Sequence, residues 1–385
     1  MAECRQGTWA VIGKVRRHKG GTSLATNVQR DCLNRSQGLK RHSGRALKKQ
    51  TEAEDNMRKV TSLAGLAMGL AFTAGLGTSA LALDEVKFGT NWLAQAEHGG
   101  YYQAVADGTY EKYGLKVEIL QGGPQAANRA LLLAGKIQFY MAGNMLQPLS
   151  ALAEDIPVLE VAAIFQKDPQ VLIAHPDTGI ETFEDLAKLP TIFMGADGFA
   201  SYFQWMKSAY PGFKDEQYKP YQFNPGPFLV DKQSAQQGYI TSEPFAIETE
   251  GGFKPKLFLL ADAGFETYST LIEGRKDFIE ANKDLTQRFV DATIEGWYNY
   301  LYGDNTAANA LIKADNPEMT DDQIAFSIAT MKSFGLVESG EALEKGIGCM
   351  TDAKQQAFYD AMVKSGVVKD GVDIKQIYTT EFVCK

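Results

Sequence analysis

Val86-Lys87-Phe88-Gly89 leads through Asn91-Trp92-Leu93-Ala94-Gln95-Ala96 into Glu97-His98-Gly99-Gly100-Tyr101-Tyr102, and the reading of this run decides the fold. A short alternating segment that ends on glycine reads as a strand, and the apolar spacing over 99–113 reads as a helix. A strand over 115–120 and a helix over 125–133 repeat the unit, giving β-α-β-α. Strands over 139–142 and 157–164, with a helix over 145–154 between them, extend it into an open α/β lobe.

A further strand is expected at 171–175. After Pro176 the theme restarts with a helical turn at 183–186, a strand at 191–194 and a helix at 199–210, so a second sheet is expected there. Glycine and proline punctuate 211–227. The pattern then reads as a helix over 231–238, a short strand at 239–241 and a last strand of this lobe at 257–261. From Asp284 the spacing of Leu285, Phe289, Ala292, Ile294, Trp297 and Leu301 is helical. Helices over 284–302, 320–334 and 352–365 make the C-terminal third mainly helical. No internal repeat or low-complexity tract is evident over 83–385.

The 385 residues carry 39 basic and 47 acidic side chains. Residues 1–82 hold 14 Lys/Arg and 5 Asp/Glu, which leaves 25 and 42 for the rest, a net charge of −17 over 83–385. Such a body is repelled by nucleic acid and anionic lipid, whose recognition depends on basic charge. Around Met57 the basic pair Arg58-Lys59 precedes 24 uncharged residues, Val60 to Leu83, with Ala80-Leu81-Ala82 near their end. This is the layout of a secretory signal peptide, with cleavage expected after Ala82 and a retained anchor as the alternative. Residues 1–56 are expected to be non-structural: upstream sequence ahead of a true start at Met57, or a disordered leader. Only Cys349 and Cys384 follow the signal. An oxidising compartment permits them to pair, and two free thiols are the alternative.

In open α/β sheets small ligands sit outside the carboxyl ends of the strands, so the loops there hold the candidate residues. The loop after the first strand offers Asn91, Trp92 and His98, an amide, an indole and an imidazole suited to a flat ring. Trp92 as plain core is the alternative reading. Asn144 follows the strand at 139–142. Gly195, Asp197 and Tyr202 follow the strand at 191–194, where backbone N–H groups could meet a polar ligand while Asp197 opposes an anion. Glu243, before Pro244, could accept from a ring amine, and an ordinary water-facing glutamate is the alternative.

The export signal, the Asn91-Trp92 opening, the run from Glu97 to Ala104, the segment Tyr110-Glu111-Lys112-Tyr113-Gly114-Leu115 and Ser242-Glu243-Pro244 resemble solute-binding proteins of ABC importers. The resemblance is to the nitrate/sulfonate/taurine class, in the branch similar to thiamin-pyrimidine synthase and pyrimidine-precursor receptors, and it spans about residues 84–380. It implies a type II periplasmic binding protein: two α/β lobes, 84–170 plus 266–385 and 171–265, joined by two crossovers around an interlobe ligand cleft. It further implies that Asn91, Trp92 and Glu243 contact a heterocycle; Tyr202 is expected to supply an opposing aromatic face. The implied partners are a membrane permease and its ATPase subunit, with the receptor itself expected to act as a periplasmic monomer without a cofactor or metal.

An enzyme is the rival reading, because the related synthase is taken to share the scaffold. Its cysteine-rich motif has no counterpart here, no Gly-x-Ser-x-Gly elbow occurs, and 83–385 holds only His98 and His175. The sequence therefore points to a receptor for a neutral or weakly cationic nitrogen heterocycle, with a sulfonate, nitrate or other small anion as the alternative.

Overall fold

The computed structural model describes residues 82–123 and 126–384. The extension expected at 1–56, and all but the last residue of the signal expected at 57–82, lie outside the described residues.

Ten strands form two sheets. In β1 (Asp84–Gly89), Val86 and Phe88 are buried while Glu85 and Lys87 face water, the period-two pattern of a strand with one covered face. With β2 (Leu115–Leu120), β3 (Phe139–Asn144), β4 (Val158–Phe165) and β10 (Ser269–Arg275) it makes a sheet of order β2-β1-β3-β10-β4. The second sheet contains β5 (Gln170–Ala174), β6 (Thr191–Met194), β7 (Tyr218–Pro220), β8 (Ser234–Tyr239) and β9 (Lys256–Leu259), in the order β7-β6-β8-β5-β9.

The two orders are the same topology. In each sheet the fourth position is taken by a strand antiparallel to both neighbours, β10 against β3 and β4 and β5 against β8 and β9. Those two strands are the ones that arrive from the other sheet. The chain crosses once between β4 and β5 and back between β9 and β10, so two short segments, 166–169 and 260–268, join the halves.

The two glycines of the opening run serve packing. An added Cβ on Gly100 would stand 2.2 Å from the Trp297 ring, and one on Gly99 would stand 2.0 Å from Tyr300. The helix Gly99–Ala106 thereby lies close against the long helix Lys283–Tyr302 and caps a core in which Phe139 stacks on Phe289 at 4.4 Å. At Tyr378 and Gly348 the C-terminal chain bridges to Glu160 and Ala163 of β4, covering an edge that would otherwise offer unpaired backbone groups. The Cys349 and Cys384 sulfurs are bonded to each other, 35 residues apart in sequence.

Several expected elements change. The segment 231–238, read as a helix, contains β8, and 239–241 is its end and the following turn. Asp231, Ala235 and the glutamines favour a helix locally, but Ser234, Ala235, Gln236 and Gly238 are buried between β6 and β5, and that placement outweighs propensity. The helix of this region lies earlier, at Gly226–Val230, with Pro227 in its first turn. The helix expected over 99–113 is two, parted at Gly108, whose φ of 75° only glycine adopts freely. The one expected over 199–210 is also two, Ala196–Ala200 and Tyr202–Ala209. The strand β10 and the helix Thr306–Asp315 had no counterpart in the sequence reading.

Candidate functional site

The carboxyl ends of β1, β3, β6 and β8 and the start of the oppositely running β5 converge on one cavity of about 80 Å³ between the sheets. Strand direction explains the convergence: β5 runs against its neighbours, so its first residue, Gln170, lies level with their last. All eight residues singled out above line this cavity: Asn91, Trp92, His98, Asn144, Gly195, Asp197, Tyr202 and Glu243.

Trp92 is half-buried and spans the gap. Its ring stacks on Tyr221 of the second sheet's side at 6.3 Å and 14°, and Phe223 meets it edge-on at 6.3 Å and 82°. Phe223 holds a φ of 56°, a costly backbone for a bulky residue that the surrounding packing must enforce. Asn91 contributes a buried Oδ1 that has no hydrogen-bond partner among the described residues.

Other expected contacts are partly spent on the protein itself. Asn144 Oδ1 accepts from the Leu146 N–H at 3.0 Å, at the first residue of the helix Leu146–Ala153. The Gly195 N–H, a candidate ligand donor, instead donates to Gln237 Oε1 at 2.7 Å, and the Tyr202 hydroxyl donates to the same oxygen at 2.8 Å. With its carbonyl doubly engaged, Gln237 turns its amide nitrogen into the donor left for other partners. Asp197 is exposed at the edge of the cavity.

Glu243 is buried, and both its oxygens are held: Oε2 accepts from the Tyr239 N–H at 2.8 Å and Oε1 from the Tyr221 hydroxyl at 3.3 Å. Burial, the dominant effect, pushes its carboxyl up to about 7. His98 is 2% exposed, and burial lowers it to about 3, so the imidazole is neutral; its Nδ1 has no partner among the described residues. Next to it Glu97 is buried, with burial raising its carboxyl. Its Oε1 meets the Thr241 hydroxyl from the opposite side of the gap, and its Oε2 has no partner.

Among the described residues no Lys or Arg lines the cavity. The guanidinium of Arg129 reaches the Gln147 carbonyl at 3.0 Å, but it is held by Glu273 through two contacts of 3.2 Å. The lining is thus made of amides, hydroxyls, aromatic rings and carboxyl groups.

A family model described as NMT1/THI5 like matches residues 95–307, more than half of the chain. The chain belongs to the NMT1/THI5-like family.

Solved structures similar to this NMT1/THI5-like chain have the periplasmic binding protein fold. The periplasmic nitrate-binding protein of Synechocystis PCC 6803 superposes with a TM-score of 0.57 at 13% identity, covering 78% of this chain and 87% of the other. The alkanesulfonate-binding protein of Xanthomonas axonopodis pv. citri, bound to MOPS, gives 0.54 at 15%, covering 77% and 98%. A Candida albicans protein with the generic periplasmic binding protein fold gives 0.57 at 14%, covering 77% and 97%. Curated relatives are the 4-amino-5-hydroxymethyl-2-methylpyrimidine phosphate synthases of Aspergillus parasiticus, 26% identical over 119 residues, and Schizosaccharomyces pombe, 28% over 106. The matches cover 31% and 28% of this chain, and the chain spans only 34% and 30% of those proteins' length. Among the described residues no helix is long and apolar enough to cross a membrane.

In this NMT1/THI5-like cleft, Gln95, Glu97, Gln147, Gln170, Gln237 and Tyr239 are lining residues that the sequence reading passed over. Gln237 was hidden because β8 reads as a helix, and Gln170 because strand direction leaves no local mark. Glu97 carried a signal: a carboxylate beside a candidate histidine at the mouth of the same loop.

Proposed function

We propose that this protein is the periplasmic substrate-binding component of an ABC importer. It captures a small nitrogen heterocycle of the thiamin-pyrimidine precursor kind by closure of its two halves and delivers it, unchanged, to a permease driven by an ATPase subunit. The observation that carries this reading is the lining of the cleft: a half-buried Trp92, unpartnered polar atoms on Asn91, Glu97 and His98, and no basic side chain among the described residues. A flat ring gains by stacking, and its N–H groups satisfy buried acceptors that are costly to leave unpaired. A sulfonate or nitrate would meet carboxyl groups with no cation to balance them. Ligand contacts on both sides of the gap favour the closed form, since only differential affinity shifts such an equilibrium.

The curated synthases supply the rival, a pyrimidine-forming enzyme on the same scaffold. Thermal melting of the purified protein against a panel of aminopyrimidines, nucleobases, taurine and nitrate separates the readings. A ligand at 100 times its Kd stabilises by about 2.7 kcal/mol. Aminopyrimidines are expected to raise the melting point and to be recovered unaltered. A shift with taurine or nitrate alone would replace the heterocycle by an anion, and chemical conversion of a bound pyrimidine would make the protein an enzyme.

A further inference from the structure

We propose that Glu97 sets the specificity of the cleft, and that the ligand it selects is a positively charged nitrogen base, such as an amidinium or a protonated aminopyrimidine, whose N–H is received by Oε2. The inference rests on the reading of the cavity as a heterocycle site and narrows it to one charge state.

Glu97 sits in the single turn Ala96–His98 that follows the loop after β1, and it is 1% exposed. Of the three carboxyl groups lining the cavity it is the buried one with an oxygen to spare: Glu243 has both oxygens engaged, and Asp197 faces solvent. Two other residues lining the same cavity carry unsatisfied groups, Asn91 Oδ1 and His98 Nδ1, each buried and without a partner among the described residues. Asn91 Oδ1 can only accept, as can Glu97 Oε2 once the carboxyl group is ionised, and a ring edge bearing two N–H groups answers that pattern.

Charge decides what kind of ring. No cation among the described residues lines the cavity, and the nearby Arg129 is already matched by Glu273. A carboxylate enclosed there without a counter-charge is strongly disfavoured, and a cationic ligand supplies the missing charge together with the missing donor. An anion supplies neither. Because Oε1 of the same carboxyl group meets Thr241 from the facing half, one side chain touches both the ligand and the partner half that must close over it.

Three flat probes of nearly equal shape test this by calorimetry near neutral pH: benzamidine, a cation; benzamide, neutral; and benzoate, an anion. The expected order is benzamidine tighter than benzamide by roughly tenfold, the usual advantage of a charge-assisted hydrogen bond, with benzoate undetected. Glu97→Gln should bring the cation-to-neutral ratio close to one. Thr241→Val, which keeps the carboxyl group, should weaken both probes and preserve the ratio. If Glu97→Gln does not fold, Glu97→Asp, which withdraws the carboxylate by one methylene, should still lower the ratio. A ratio that survives these Glu97 substitutions, or benzoate binding as well as benzamidine, overturns the proposal. A ratio near one in the parent protein, while aminopyrimidines still raise its melting point, refutes only the charge assignment; failure of every heterocycle refutes the wider reading as well.

Discussion

The Glu97 carboxyl group, in the turn after β1, accepts a hydrogen bond from the Thr241 hydroxyl, in the turn after β8, so the two sheets touch directly beside the cavity. The contact belongs to a small latch. Ser242 Oγ accepts from Gln95 Nε2 at 3.0 Å and from Gln323 Nε2 at 3.3 Å, and Ser327 Oγ donates to the Thr241 carbonyl at 2.6 Å.

Ser242→Ala is expected to weaken ligand binding without removing any residue that lines the cavity. It leaves two buried amide donors short of a partner, at a cost of about 1–3 kcal/mol borne only by the closed form. The apparent affinity falls in proportion to the closed fraction. Small-angle scattering of the unliganded variant should show a larger radius of gyration than the parent; equal radii and equal affinities would remove the latch from the account.

Trp92→Ala should weaken binding of the same ligand by about 1–3 kcal/mol, since it deletes a stacking face and the contact with Tyr221. Calorimetry reads this directly, and an unchanged affinity would take Trp92 out of the site.

Stability should carry the mark of the buried carboxyl groups. Burial raises Glu243 from 4.5 to about 7, so between those values the folded protein keeps a proton that the unfolded chain has lost. Stability from this group therefore falls as pH rises from about 4.5 to 7 and is level above. Asp168, raised from 3.8 to about 7, acts in the same direction, whereas His98, lowered from 6.5 to about 3, acts in the opposite one over its own range. Glu243→Gln isolates one contribution: its melting point relative to the parent should climb between pH 5 and pH 7. Parallel curves would contradict the burial assigned to this side chain.

Much of this architecture is legible in the sequence because each βα unit announces itself locally. Val86 and Phe88 alternate with charged neighbours, and the glycines at 99–100 mark a helix that must approach another closely. The eight candidate residues converge because the ends of strands in such sheets gather on one side, a rule that needs only the strand assignments. What stayed hidden was non-local. β8 is a strand because β5 and β6 flank it, not because of its own residues, and with it went Gln237, whose carbonyl takes the Gly195 N–H assigned above to a ligand. The antiparallel β10 could not be read because nothing in 269–275 encodes its insertion between β3 and β4.

The bond between Cys349 and Cys384 closes a loop 35 residues apart in sequence, fastening the C-terminus beside the edge of β4. Replacing both cysteines by serine should cost about 2–4 kcal/mol in denaturant unfolding while leaving ligand affinity in place. A loss of affinity matching the loss of stability would tie this bridge to the cleft.

As proposed, the two halves hold a nitrogen heterocycle without altering it. Titration of the full chain with 4-amino-5-hydroxymethyl-2-methylpyrimidine in a calorimeter, followed by mass analysis of the recovered ligand, tests this. Saturable one-to-one binding with the compound returned intact is the expected result. No binding of this or any aminopyrimidine by a protein that binds taurine or nitrate, or recovery of a converted product, would contradict it.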